Sequence, residues 1–178
     1  MTTEYKIIDS PVGQLTLVAQ GSSLVAILWQ VERPNRVRLG VLTPAPGGSP
    51  ASLAIEAAER QLAEYFAGQR KRFALPLAFN GTEFQRKVWQ ALLTIPFGET
   101  RTYAQIARQI GHPTAVRAVG AANGRNPISI VAPCHRVIGA SGELTGFAGG
   151  LAAKALLLGV ERGQGTVQGS FEFAAGLP

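Results

Sequence analysis

Cysteine is nearly absent from this 178-residue chain: Cys134 stands alone, accompanied by two histidines, His112 and His135. A single cysteine closes no internal disulfide, which points to a reducing, cytoplasmic setting. One thiol and two imidazoles are too few for a structural zinc site, so no metal is expected. No run approaches the roughly 18 apolar residues of a membrane span, so no membrane association is expected. The start, Met1-Thr2-Thr3-Glu4-Tyr5-Lys6, does not read as a secretory signal. Acidic residues are also scarce: 11 Asp and Glu stand against 17 Lys and Arg, a net charge of +6. The surplus is uneven. Residues 81–163 carry nine basic and four acidic side chains, residues 1–80 carry eight and six, and the tail has only Glu172. The basic excess therefore travels with the cysteine. A polyanionic partner explains it, and so does a merely soluble basic surface. The hydrophobic share of 46% excludes wholesale disorder, and the length suits one large domain or two small ones.

Residues 5–9, 14–20 and 24–29 read as strands separated by turns at Ser10-Pro11-Val12-Gly13 and Gly21-Ser22-Ser23. Residues 40–50 hold three glycines and three prolines and read as loop. From Ala51 to Ala67 the spacing turns helical, with Leu53, Ala57, Leu62, Tyr65 and Phe66 as the apolar face and Gly68 as the stop. Arg70-Lys71-Arg72 reads as a solvated run. No motif in this half carries chemistry. Asn80-Gly81 is the best boundary. Beyond it strands nearly vanish. Thr82 with Gln85 makes a capping box for a helix that buries Phe84, Val88, Trp89 and Leu92. Thr102 caps a second helix, closed by Gly111, and Pro113 suits the first turn of a third, Thr114 to Gly124. That third helix is built of small residues around Arg117 and Arg125. The last two helices form a helix-turn-helix pattern, or equally an ordinary helical hairpin in a core. The expected organisation is residues 1–79 as a small α/β domain, 80–163 as a mostly helical domain and 164–178 as a flexible tail.

The chemistry gathers in Ile130-Val131-Ala132-Pro133-Cys134-His135-Arg136-Val137-Ile138. The β-branched run predicts a strand, and Pro133, with no N–H, ends its ladder, so Cys134 falls where strand gives way to turn. A thiol becomes a strong nucleophile on losing its proton, and a neighbouring imidazole is the usual aid. A lone cysteine also packs well as a small apolar residue. A glycine-rich loop, Gly139 to Gly150, and an apolar helix, Leu151 to Arg162, complete the half.

With Pro133-Cys134-His135-Arg136-Val137 go Arg117-Ala118-Val119-Gly120, Asn126-Pro127, Gly149-Gly150-Leu151, Lys154 and Glu161. From Gly81 to Glu161 this arrangement resembles the 6-O-alkylguanine-DNA alkyltransferases, or methylated-DNA–protein-cysteine methyltransferases. The resemblance implies an α+β fold: a small ribonuclease-H-like N-terminal domain, then a winged-helix-like domain with a helix-turn-helix. It implies flipping of 6-O-alkylguanine, mainly methyl, from duplex DNA and irreversible transfer of the alkyl group to Cys134, once per molecule. By the same likeness His135 acts as base through a water, Glu161 orients it, and Tyr103 donates to the leaving guanine. Arg117 fills the gap left by the flipped base. Ala118, Ala121, Asn123 and Arg125 face DNA in the minor groove, and Asn126 ties the helix pair to the cysteine loop. Val137, Phe147 and Ala148 line the base pocket. Many members have tyrosine where this chain has Phe147, so a hydroxyl contact is missing there. No cofactor is implied, and the protein is expected as a monomer able to act cooperatively on DNA. Two other classes fit parts of the pattern: a helix-turn-helix lesion sensor or regulator, which needs no Cys–His–Glu set, and a Cys–His hydrolase, which needs an oxyanion hole.

Overall fold

In the computed structural model, which describes residues 2–163, three antiparallel strands and one parallel strand make the first sheet. β1 (Thr3–Ile8), β2 (Leu15–Gln20) and β3 (Ser23–Trp29) pair in sequence, with Lys6 opposite Leu17 and Leu17 opposite Ile27. β4 (Leu42–Pro44) adds to the free edge of β1 in parallel, giving the order β3-β2-β1-β4. The sequence placed loop at 40–50. Three residues of backbone pairing were enough to make a strand there, and Pro44 is tolerated because β4 is an edge.

α1 (Pro50–Phe66) lies on the sheet. Ser49 caps it by accepting from the Ser52 N–H, and Pro50 takes the first helical position, where no N–H is needed. Its buried face is Ala51, Ala54, Ile55, Ala58, Leu62, Tyr65 and Phe66. Leu53, expected on that face, is 55% exposed, because the stripe runs through Ile55 and Ala58 and leaves Leu53 on the far side.

The second half begins at Gly81, where an added Cβ would lie 2.6 Å from the Trp89 ring. α2 (Glu83–Leu92) and α3 (Tyr103–Gln109) each start with the full capping box foreseen at Thr82/Gln85 and Thr102/Gln105. α4 (Val116–Gly124) starts two residues later than expected. Pro113 sits in the turn before it rather than in its first turn. Two short strands, β5 (Arg101–Thr102) and β6 (Val137–Ile138), pair in parallel and were not foreseen, since two residues carry no periodicity. α5 (Leu151–Glu161) closes the described chain. The segment 164–178, expected as a flexible tail, lies outside the described residues. No described helix is long and apolar enough to cross a membrane.

Two buried clusters meet at the glycine-rich loop. One joins the sheet and α1 to Ile128, Ile130 and Val131 and to Ala153, Leu157 and Val160 of α5. The other joins α2, α3 and α4 to Cys134 and Val137, and Phe147 packs against both. The cysteine segment is thus gripped from both halves. Its approach is not the expected strand. Ile130 has φ +75°, Ser129 and Ala132 form a single bridge, and Cys134–Arg136 is one turn of 3₁₀ helix. The apolar run is buried by packing on both clusters, so its β-branched residues serve the core without a ladder.

Candidate active site

Cys134 is buried, 3% exposed, on the 3₁₀ turn. Asn126 shapes the approach: its Nδ2 donates to the Ala132 carbonyl at 2.8 Å and its Oδ1 accepts from the Ile128 N–H at 3.1 Å. It ties the end of α4 to the cysteine loop. The expected imidazole-lowered thiol is not what the free protein holds. Burial pushes the thiol up, and it outweighs Asn126, the charges of Arg36 and Lys154, and Ser129, all of which favour the thiolate.

His135 follows on the same turn and is completely buried. Its Nε2 lies 2.7 Å from Glu161 Oε2, while Nδ1 is buried without a hydrogen-bond partner. Burial lowers the imidazole below its ordinary value against the pull of Glu161, so it is neutral at pH 7. Glu161 comes from the last residue of α5 and is 7% exposed, not solvated. Burial opposes its ionisation. His135, and Arg136 with a permanent charge, overcome that and hold the carboxyl at about 2. Arg136 donates to Glu161 from Nε at 2.7 Å and from Nη2 at 3.0 Å, the Tyr65 hydroxyl donates at 2.7 Å, and the Gly98 N–H at 3.3 Å. An ionised Glu161 must accept from Nε2–H. That fixes the tautomer and leaves Nδ1 with its lone pair free. Tyr65, in turn, is kept un-ionised by burial and by the neighbouring carboxylate.

The other expected residues fall into two groups. Tyr103 is half-buried at the start of α3. Its ring covers Gly120, where a Cβ would stand 3.8 Å away, and its hydroxyl lies 2.5 Å from Thr145 Oγ1. Phe147 and Ala148 are half-buried on the glycine-rich loop, and Phe147 meets Trp29 edge to face at 5.3 Å. Val137 is fully buried, its carbonyl accepting from Lys154 Nζ at 2.7 Å. Arg117, Ala118, Ala121 and Arg125 are exposed on one side of α4. Asn123 is not with them. Four residues after Val119, it shares that residue's inward face, is 5% exposed, and points its Nδ2 at the Cys134 carbonyl at 3.5 Å.

Residues missed from sequence come mostly from the first half. Trp29 donates through Nε1 to Ser129 Oγ at 3.1 Å and sits so close to Gly149 that a Cβ there would be 2.7 Å from its ring. Any side chain at 149 would displace the indole, an overpacking cost of about 1–3 kcal/mol. Arg36 is buried, paired with Glu32, and donates to the Asn126 carbonyl. Nothing local marks Tyr65, Trp29 or Arg36, because their partners lie about a hundred residues away. Lys154 and Arg136 did carry a signal: each is a cation inside a motif or an apolar helix, where burial demands acceptors. Among the described residues no cluster of His, Cys, Asp and Glu could hold a metal ion.

A lone buried thiol, a tautomer-locked imidazole and an ionised carboxylate on a two-part α+β frame fit a cysteine alkyl-acceptor or acyl-transfer class of protein. Comparison with known proteins narrows this. Residues 83–163 match the family described as 6-O-methylguanine DNA methyltransferase, DNA binding domain, and residues 4–79 match its ribonuclease-like domain. A methylated-DNA–protein-cysteine methyltransferase of Mycobacterium tuberculosis is 52% identical over 160 residues, 89% of this chain and 92% of that one. One from Methanosarcina acetivorans is 47% identical over 157 residues, 88% of this chain and 97% of that one. The crystal structure of Mycobacterium tuberculosis OGT in complex with DNA superposes with a TM-score of 0.83 at 47% identity, covering 95% of this chain and 99% of that one. The chain belongs to the 6-O-methylguanine DNA methyltransferase family.

Proposed function

We propose that this protein repairs DNA by direct reversal, moving the alkyl group of 6-O-alkylguanine, chiefly methyl, onto Cys134. The observation that carries the reading is the link from an ionised Glu161 to the Nε2–H of His135, which leaves a buried Nδ1 without a hydrogen-bond partner on the 3₁₀ turn that also carries Cys134. In the reaction Sγ attacks the alkyl carbon, the S–C bond forms and the C–O bond breaks. The thiol proton passes through a bridging water to Nδ1, and Glu161 stabilises the imidazolium that results. The electron pair returns to the guanine, whose ring nitrogen takes a proton from Tyr103 as that hydroxyl leaves Thr145. A thiol held protonated by burial stays unreactive toward chance electrophiles until a substrate is seated.

On this reading α3 and α4 are a helix-turn-helix that enters the minor groove with its small-residue face. Arg117, exposed there, replaces the flipped base. Flipping costs a few kcal/mol of stacking and pairing, and a planar cation recovers part of it. Phe147 and Ala148 border the base pocket, with Val137 behind. The protein acts in the cytoplasm as a monomer that can bind DNA cooperatively, residues 1–79 and 80–163 being its two domains. No second thiol exists to resolve the adduct. Repair of 6-O-methylguanine in excess duplex should therefore stop at one lesion per protein molecule. Continued turnover would exclude the reading and favour a hydrolase.

A further inference from the structure

The arginines of the first half do not scatter. The segment between β3 and β4 carries Arg33, Arg36 and Arg38, and it is stitched to the C-terminal end of α4 in both directions. Arg33 Nη2 donates to the Gly124 carbonyl at 2.9 Å, Arg36 donates to the Asn126 carbonyl, and Arg125 Nη1 donates to the Asn35 carbonyl at 3.3 Å. Two clefts flank Arg125. One, about 500 Å³, has Arg33 and Arg36 on one wall, Gly120, Ala121 and Gly124 of α4 on another, and Phe147 at its side. The other, about 490 Å³, holds Arg36 and Arg38 beside Asn80 and Thr82. Neither cleft is lined by a carboxylate. Arg36 is neutralised by Glu32, but Arg33, Arg38 and Arg125 are exposed and none of them has an acidic partner among the described residues.

Concentrating three guanidinium groups without an acidic partner at one helix end costs repulsion, whereas elsewhere in the first half Lys6 pairs with Glu59 and Arg70 with Glu64. The helix end itself explains one cation, because the last carbonyls of α4 attract a donor. It does not explain the other two. The first cleft reaches the exposed side of α4 through Ala121 and the expected base pocket through Phe147, and the second shares Arg36 and Arg125 with it.

We propose that the segment Arg33–Arg38 of the ribonuclease-like half is a second DNA-contacting element, gripping the phosphate backbone next to the flipped nucleotide through Arg33 and Arg38. This rests on the repair reading above and extends DNA contact beyond the second half of the chain. The segment acts as a clamp on the strand that α4 has opened. Arg33 shares a cleft with Phe147, so its phosphate lies beside the nucleotide in the pocket. Arg38, on the far side of Arg125, takes a phosphate further along.

Each phosphate neutralised contributes about 0.9 to the slope of log K against log salt on B-DNA. The test is a salt titration of duplex binding by the full chain, with 6-O-methylguanine DNA, for the parent, R33A/R38A and R33K/R38K. The alanine pair should flatten the slope by about 1.8, so that its binding defect relative to the parent is greatest at low salt and shrinks roughly tenfold between 50 and 200 mM salt. The lysine pair, which keeps charge but loses the planar fork, should retain the parent slope. A parent slope kept by R33A/R38A overturns the proposal. So does weak binding by both pairs at an unchanged slope, which would mean that Arg33 only caps α4. A parent that shows no salt-dependent DNA binding at all would instead defeat the repair reading itself.

Discussion

Glu161→Gln keeps the shape of the side chain and removes the charge around which the site is built. The carboxylate accepts from Tyr65, Arg136, His135 and the Gly98 N–H. In the amide one oxygen becomes an N–H donor, and whichever way it turns, it faces a donor. Arg136, 8% exposed in its side chain, loses its carboxylate partner. Breaking one side of a buried ion pair costs about 3–5 kcal/mol. The low end applies, because Arg136 still donates to the Ile95 carbonyl at 2.6 Å and lies 5.8 Å over the Phe97 ring. Stability should therefore fall by about 3 kcal/mol, a large part of the roughly 5–15 kcal/mol of a typical domain. Transfer should slow by about 10²–10⁴-fold, because the imidazolium formed on taking the thiol proton has lost its counter-charge. Urea unfolding at pH 7.5 gives the first quantity. Single-turnover methyl transfer at a temperature where the variant is fully folded gives the second. A variant within 1 kcal/mol and threefold of the parent would refute the reasoning, as it would mean that neither Arg136 nor His135 depends on this carboxylate.

Stability should also depend on pH in two windows. His135 is lowered in the fold, so between that value and its unfolded 6.5 the unfolded chain binds more protons, and stability must fall as pH falls below 6.5. Glu161 is lowered from 4.5 to about 2, so the stability that it confers is present above 4.5 and is lost as pH falls through that interval. Urea midpoints from pH 8 to pH 3 check both, and His135→Gln should remove the upper window and narrow the lower one, because His135 helps to hold Glu161 down. Arg117→Ala should slow repair in duplex DNA far more than reaction with a free 6-O-alkylguanine base, compared by single-turnover rates. An equal loss on both substrates would place Arg117 in the pocket or the fold.

Elements with their own local grammar were legible in the sequence. Thr82/Gln85 and Thr102/Gln105 announce helix starts because the box lies within four residues. Cys134, His135 and Glu161 were legible through the resemblance, and the structure joins His135 to Glu161 at 2.7 Å and sets Cys134 on the same turn as His135. What escaped depends on distance. The burial stripe of α1 was misread at Leu53, since apolar spacing alone cannot tell which side meets a sheet. Asn123 was read as facing DNA because it sits among exposed neighbours in the same motif, yet the helical turn carries it inward with Val119. Tyr65, Trp29 and Arg36 support the site from the first half through contacts that no local pattern encodes. The thiol was expected low because His135 is adjacent in sequence. Burial outweighs the groups that favour the thiolate, and adjacency along the chain is not a hydrogen bond.

The central claim is that the alkyl group ends on the sulfur of Cys134. Intact-mass spectrometry after incubation with duplex DNA containing 6-O-methylguanine, followed by peptide mapping, tests it directly. The account predicts a gain of one methyl group per molecule, located at Cys134, with guanine restored in the DNA and no gain in Cys134→Ala. Restored guanine with an unmodified protein, or a methyl group on any other residue, would contradict it.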